Sequence, residues 1–420
     1  MRRALASPAR TPRMAVVMGR LLATAFVLCF FTGLYSHFLQ EPLPWMRFPT
    51  APSWLYQLTQ GVHITAGIAC FPLILGKLHA VYPRLFQFPP ARGLGSLLER
   101  ASIALFVAAS LVEITIGLLN TFQWYPWPFD FRQVHFALSF VVIGSLAVHI
   151  GVKLPIIARY WRARPAAEMD APGFGDDAHP DDDEVMARQA GAELEPVGSG
   201  DGLVGGLTGR VFRWIDSAPA ATPRITRRGF FAAIGLSAAA VVLTTAGQSF
   251  SALNPLNVFA PRTMGVGPQG LPINRTAEAA QVTDTANASD WVLTVANGNR
   301  IAAFSRAELS AMPQTTVDLP IACVEGWSQT ATWTGVPLRD LMSRAGMAPD
   351  ARLRVTSLEK EGGYRVMEMG PEYVFDSSTL VALQLGGETL DIQHGYPARM
   401  IAPGRPGVLQ TKWLSSLEVI

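Results

Sequence analysis

The sequence predicts a membrane α-helical bundle of four helices plus a fifth anchor helix, followed by an α+β domain. Three observations predict it. Charged residues are only 16% of 420 residues while hydrophobic residues are 49%, and the mean hydropathy is positive. Five apolar runs approach or exceed the roughly 20 residues that cross a bilayer. After the fifth run the pattern changes to short alternating stretches separated by Gly- and Pro-rich turns.

The first four runs cover about residues 15–38, 56–78, 102–121 and 134–154, within a membrane domain assigned to residues 1–160. Orientation follows from Lys and Arg. Arg2, Arg3, Arg10, Arg13 and Arg20 precede or open the first run; Lys77, Arg84, Arg92 and Arg100 connect the second to the third; Lys153, Arg159, Arg162 and Arg164 follow the fourth. The other two connections carry Arg47 and Arg132 among Trp45, Trp54, Trp124, Tyr125 and Trp127, the composition of an interfacial aromatic belt. The N-terminus is therefore expected to be cytoplasmic, in a multi-pass protein of the cell membrane.

Residues 161–228 form the next segment. Asp170, Asp176, Asp177, Asp181, Asp182, Asp183 and Glu184 among Gly, Ala and Pro read as a solvated cytoplasmic linker, with His179 incidental to it. The fifth run, residues 229–247, begins Thr226-Arg-Arg-Gly-Phe-Phe231 and resembles a twin-arginine export signal. No small-residue site ends the run, so an uncleaved anchor is expected. That crossing makes residues 248–420 extracytoplasmic. There, residues 291–295, 315–321, 352–357 and 417–420 read as strands and residues 338–345 as a short helix.

The chain is too close to neutral, at net charge +2, and too poor in basic-aromatic stripes for nucleic-acid binding. Three cysteines cannot build a disulfide framework. Cys29 and Cys70 sit in apolar runs and read as buried packing residues. Cys323 stands in a Gly/Trp-flanked turn, as a metal-ligating or nucleophilic thiol should.

Five histidines lie in or at the ends of the first four runs: His37, His63, His79, His135 and His149. Ionisable residues in a bilayer are costly and mark function. Several imidazoles beside one central acid, Glu113, favour ligation of a metal or haem over an ion path. By topology His63 and His135 share the outer side, and they are read as axial ligands of a b-type haem. His149, fourteen residues after His135, lies about 21 Å further along with nearly the same facing. It leaves a second, inner haem open, perhaps with His79, although His79 is turned about 160° from His63. His37 and His79 read as interfacial or packing residues. The run pattern resembles the four-helix cytochrome b domains that exchange electrons with quinones.

The C-terminal motifs are more specific. Cys323-Val-Glu-Gly-Trp-Ser328, Trp333-Thr-Gly-Val-Pro-Leu338, and the closing His394-Gly-Tyr-Pro-Ala-Arg399 with Lys412-Trp-Leu414 occur in order. Together they resemble the molybdopterin-dependent sulfite oxidase and methionine-sulfoxide reductase family over residues 270–420. The resemblance implies a sulfite oxidase-like α+β fold and molybdopterin with molybdenum as cofactor. It makes Cys323 the molybdenum ligand, with Glu325 a catalytic neighbour. It makes Asn274 and Arg275 an early pterin loop, His394 and Arg399 pterin contacts, and Arg405 and Lys412 partners of its phosphate. Trp327 and Trp413 read as packing residues. Glu325 fits the sulfoxide reductase branch better than the sulfite oxidase branch, whose arginines beside the cysteine are missing here.

The expected function is oxygen-atom transfer outside the cytoplasm by a membrane-bound oxidoreductase, acting on a small-molecule oxide or oxyanion and coupled through b-type haem to quinone or quinol. Reduction of an S- or N-oxide is favoured; a sulfite-type oxidase is the alternative. A Cys323–His394 nucleophile–base pair of a hydrolase and a non-enzymatic haem electron-transfer or sensory module are the competing readings.

Overall fold

The computed structural model describes residues 12–85, 94–161, 226–348 and 350–420. The acidic linker, Arg2, Arg3, Arg10 and Arg92 lie outside the described residues. Among the described residues, five helical segments are long and apolar enough to cross a membrane: α1 (Pro12–Gln40), α2 (Leu55–Leu85), α3 (Leu94–Thr121), α4 (Phe131–Arg159), and α5 (Arg227–Leu243) taken with the turn that follows it, as Arg228–Gln248. The first four extend beyond the apolar runs because polar residues at their ends remain helical once the backbone hydrogen bonds are established. Thr226 caps α5, its Oγ1 accepting from Gly229 N at 3.0 Å. Arg227 and Arg228 thus occupy its first turn, where positive charge opposes the helix dipole.

The chain forms two compact units. Of the described residues, one comprises 12–20, 75–85, 94–100, 148–161 and 226–233. Its described contacts are polar clasps between helices. Lys77 Nζ donates to Ala15 O at 2.5 Å, Lys153 pairs with Glu99, and Arg20 Nη1 donates to Trp161 O at 3.0 Å. His79 stacks on Phe230 at 5.2 Å between ring centroids.

The second unit comprises residues 21–74, 101–147 and 234–420. After α5, 3₁₀ turns lead to the short helix α6 (Thr283–Ala286) and a β-rich domain. Its elements are β1 (Val292–Asn297), β2 (Arg300–Ser305), α7 (Arg306–Ala311), β3 (Thr315–Ala322), β4 (Ser328–Pro337), α8 (Leu338–Arg344), β5 (Leu353–Ser357), β6 (Val366–Met369), α9 (Pro371–Val374), β7 (Leu380–Leu385), β8 (Glu388–Thr389), β9 (Arg399–Ile401) and β10 (Leu414–Val419).

One sheet runs β2-β1-β10-β5-β6, with β1 and β10 parallel and the other pairs antiparallel. The other runs β3-β4-β7-β8, with β9 also paired to β7. Leu293, Val295, Val355 and Leu417 of the first sheet pack with Val336, Val381 and α8's Leu341 in one core. Each such side chain, fully buried, contributes about 1.5–3 kcal/mol before entropic costs. This α+β core matches the expected fold class; β1, β3, β5, β10 and α8 stand where the alternation places them, shifted by up to three residues.

β3 shows how the fold positions the site. Its first half alternates in exposure, and its last four residues are all buried as the strand delivers Cys323. On β4 the register shifts at Thr334/Gly335. A Cβ at Gly335 would collide with Val381 O, so only glycine lets β4 and β7 approach there.

Candidate active site

Cys323 opens the five-residue turn, residues 323–327, that joins β3 to β4, where Ala322 pairs with Ser328. Two bonds close the turn: Cys323 N donates to Trp327 O at 2.8 Å and Gly326 N to Cys323 O at 3.0 Å. Gly326 has φ +101°, a conformation that favours glycine. Cys323 is 1% exposed, and burial pushes its thiol well above the usual range. A neighbouring cationic metal would reverse that preference. Among the described residues no group of three His, Cys, Asp or Glu is placed to hold a metal ion.

Cys323 lines a narrow cavity with Asn274, Trp327, His394, Arg399 and Lys412. The structure therefore gathers five of the predicted residues from four places in the chain. His394 lies in a 3₁₀ turn, and its Nε2 is 2.7 Å from Pro268 O. Burial and then Arg399 push it down to about 4, so it is neutral at neutral pH. Its ring partner is Pro268 rather than Cys323, which is not the nucleophile–base geometry of a hydrolase.

Arg399 starts β9. Its Nη1 donates to His394 O at 3.1 Å, its guanidinium lies 5.3 Å from the centre of the Trp333 ring, and its Nε is buried without a partner. Burial pulls its pKa down to about 9, offset in part by Cys323. Lys412 precedes β10; its Nζ donates to Arg275 O at 2.5 Å and Gln393 O at 3.1 Å. Burial and then Arg399 lower its pKa well below the usual range. Two cations desolvated this far are costly unless an anion joins them. With the unpartnered Nε of Arg399, they fit an anionic, hydrogen-bonding cofactor.

Two predicted residues turn elsewhere. Arg275 Nη2 donates to Glu361 O at 2.9 Å and its Nε lies 3.6 Å from Glu359 Oε2; only its backbone carbonyl meets Lys412. Arg405 is buried, with Nη2 donating to Glu368 O at 2.9 Å and its guanidinium 5.0 Å from the Tyr373 ring centre. Burial lowers it to about 10, and its Nη1 has no partner.

Glu325 is 7% exposed. Burial raises its pKa to about 7 against the pull of Arg262 and of hydrogen bonds, including one from Gln123. Gln123, just beyond α3, donates through Nε2 to Glu325 Oε1 and to Asn274 O, the latter at 3.0 Å, and its Oε1 accepts from Arg262 Nη2 at 2.7 Å. Gln123 and Arg262 carried no sequence signal.

Residues 279–420 match a family model described as oxidoreductase molybdopterin binding domain. Among similar proteins is one from Azospira oryzae named as protein-methionine-sulfoxide reductase subunit YedZ1, 29% identical over 28% of this chain and 44% of that one. Another is the protein-methionine-sulfoxide reductase catalytic subunit MsrP of Xanthomonas campestris pv. campestris, 28% identical over 24% and 35%. A third is sulfite oxidase of Arabidopsis thaliana, 42% identical over 11% and 12%. Residues 279–420 therefore carry an oxidoreductase molybdopterin binding domain, similar to parts of sulfite oxidase and of protein-methionine-sulfoxide reductase. The chain spans less than half the length of each of these relatives. The desolvated Arg399 and Lys412 beside Cys323 suit the anionic cofactor that such a domain binds.

Two histidines of the long apolar helices form a second pair. His63 on α2 and His135 on α4 have ring centroids 6.1 Å apart with planes at 81°. His63 Nδ1 is 2.9 Å from Cys29 O, which orients the ring and leaves Nε2 for a ligand. His135 Nδ1 is 3.3 Å from Glu113 Oε1. Each ring packs against a glycine of a neighbouring helix. A Cβ on Gly33 would lie 3.0 Å from His63 Cε1, and one on Gly117 3.4 Å from His135 Cε1. His149 is half-buried on α4, and His37 stacks on Phe136 with centroids 3.6 Å apart.

Proposed function

We propose that this protein is a membrane-bound molybdopterin oxidoreductase that reduces an S- or N-oxide outside the cytoplasm, with electrons from the quinone pool through b-type haem. The observation that carries the proposal is the convergence of Cys323, His394, Arg399 and Lys412 on one cavity in a molybdopterin-binding domain. Cys323 would supply the chain's ligand to molybdenum. Arg399, Lys412 and His394 would hold the pterin and its phosphate, with Asn274 beside them. Arg275 and Arg405 would support that cradle from behind. When bound, the molybdenum centre supplies two-electron oxygen-atom transfer. Glu325, raised to about 7 by burial and two residues from the thiol, would be the group able to exchange a proton beside that centre near neutral pH.

His63 and His135 would hold the haem iron: both sit in membrane-spanning helices, and the His63 ring is fixed through Nδ1. His149 remains available for a second haem. The five spans and the distribution of Lys and Arg support a multi-pass cell-membrane protein with a cytoplasmic N-terminus and linker. The charged first turn of α5 supports a twin-arginine-like start to an anchor. This divides the chain into a membrane domain to residue 160, a linker to 228, an anchor to 247 and an extracytoplasmic domain from 248.

Replacing Cys323 with Ser should abolish turnover and reduce bound molybdenum. Full activity with bound molybdenum in that variant would refute the ligand assignment. Sulfite-type oxidation is the second reading, favoured by the similarity to sulfite oxidase. A sulfite-dependent reduction of the oxidised protein, with no response to sulfoxides, would select it.

A further inference from the structure

The turn that presents Cys323 is built partly by the membrane bundle. Gln60 on α2 donates through Nε2 to Val324 O at 2.8 Å. One helical turn later, Ile64 meets the Cα of Gly326 so closely that a Cβ there would sit 2.6 Å from Ile64 Cγ1. Gln123 holds Glu325 and Asn274, as described above. Ser249, beyond α5, completes the support: its Oγ donates to Gly326 O, and its carbonyl accepts from Ser328 Oγ at 3.0 Å. Three successive residues of the turn are thus held from outside the β-domain. A buried amide in an apolar helix is costly unless bonded, so Gln60 requires the turn as much as the turn requires it.

We propose that Gln60 and Gln123 are positioning residues that set the geometry of the Cys323 ligand, so that the molybdenum half of the site takes its working shape only when seated on the membrane bundle. Gln123 is the hub, since one amide joins the Cys323 turn, the Asn274 loop and Arg262. Ile64 is adjacent to His63. The same stretch of α2 therefore carries one proposed haem ligand and supports the turn of the molybdenum ligand. The inference rests on the molybdopterin reading of Cys323 and adds that the bundle, besides anchoring the domain, shapes its metal site.

The test uses the full chain in detergent with Gln123→Leu and Gln60→Leu. In protein made without molybdenum, hydrogen exchange at the Cys323 and Gly326 amides should quicken roughly tenfold, the loss of about one hydrogen bond. In molybdenum-loaded protein, the electron paramagnetic resonance signal of the half-reduced metal should change shape. With a reduced dye as donor, kcat for methionine sulfoxide should fall while KM stays nearly constant. Gln123→Glu, which keeps the length but loses the donor, should behave like Gln123→Leu. Parent-like exchange, metal spectrum and kcat in both leucine variants would overturn the proposal. Absence of molybdenum from the parent would instead refute the reading of Cys323 on which it rests.

Discussion

Replacing Gly326 with Ala tests the seating of the Cys323 turn in the most direct mechanical way. Two penalties add. The residue holds φ +101°, where a side chain costs about 1–3 kcal/mol. The new methyl would also lie 2.6 Å from Ile64 Cγ1, an overpacking worth about 1–3 kcal/mol. The sum, about 2–6 kcal/mol, corresponds to a drop of roughly 4–24 °C in the thermal midpoint of a domain this size. The assay is thermal unfolding of the full chain in detergent, for the parent, Gly326→Ala, Ile64→Ala and the double variant. Ile64→Ala removes the atoms that the methyl meets, so the double variant should be less destabilised than the sum of the singles, by about 1–3 kcal/mol. The strain at φ +101° should remain. A Gly326→Ala midpoint equal to the parent's, or strict additivity in the cycle, would refute the contact between the turn and α2.

Three further outcomes are expected. Arg399→Met should lower pterin and molybdenum content at least tenfold while leaving the cofactor-free protein as stable as the parent or more so, because a desolvated, half-satisfied charge is removed; cofactor extraction and thermal midpoints check both. Folding pushes His394 from its ordinary value near 6.5 down to about 4, so the unfolded chain binds more protons between those values. Its contribution to stability should be lost as pH falls from 6.5 towards 4, and His394→Gln should flatten that slope in unfolding measured against pH. His63→Ala or His135→Ala should remove the haem band and quinol-driven turnover while sparing dye-driven turnover, as optical spectra and paired assays will show.

The membrane helices were legible because length and apolarity alone demand them. Strands β1 and β5 were legible because each alternates against the core, and β3 because its first half does. β2 was missed because its first four residues are exposed on an edge strand, so its pattern shows no buried face. β4 was read only as a motif, since Gly335 and Pro337 look like turn residues; the glycine instead marks the register shift against β7. The capping box of Ser305 and Glu308 that starts α7 was present in the sequence but passed unread.

In the site, residue type was informative and direction was not. Arg399 and Lys412 reach the cavity, whereas Arg275 and Arg405 carry the same charge in similar Gly- and Pro-rich loops and turn to other partners. Gln123 and Gln60 lie far from Cys323 in sequence, and only the docking of the turn on the bundle relates them. Gln60 did leave a trace, as an amide inside an apolar span that has to find a partner.

The central claim is tested most directly by an optical difference spectrum of membranes containing this protein. The haem is reduced with a quinol, and methionine sulfoxide is then added. Re-oxidation of the b-type band in the parent, and its absence in Cys323→Ser, is the predicted result. A reduced band that ignores the sulfoxide, with sulfite instead reducing the oxidised haem, would contradict the direction of electron flow; the absence of any haem band would contradict the role of His63 and His135.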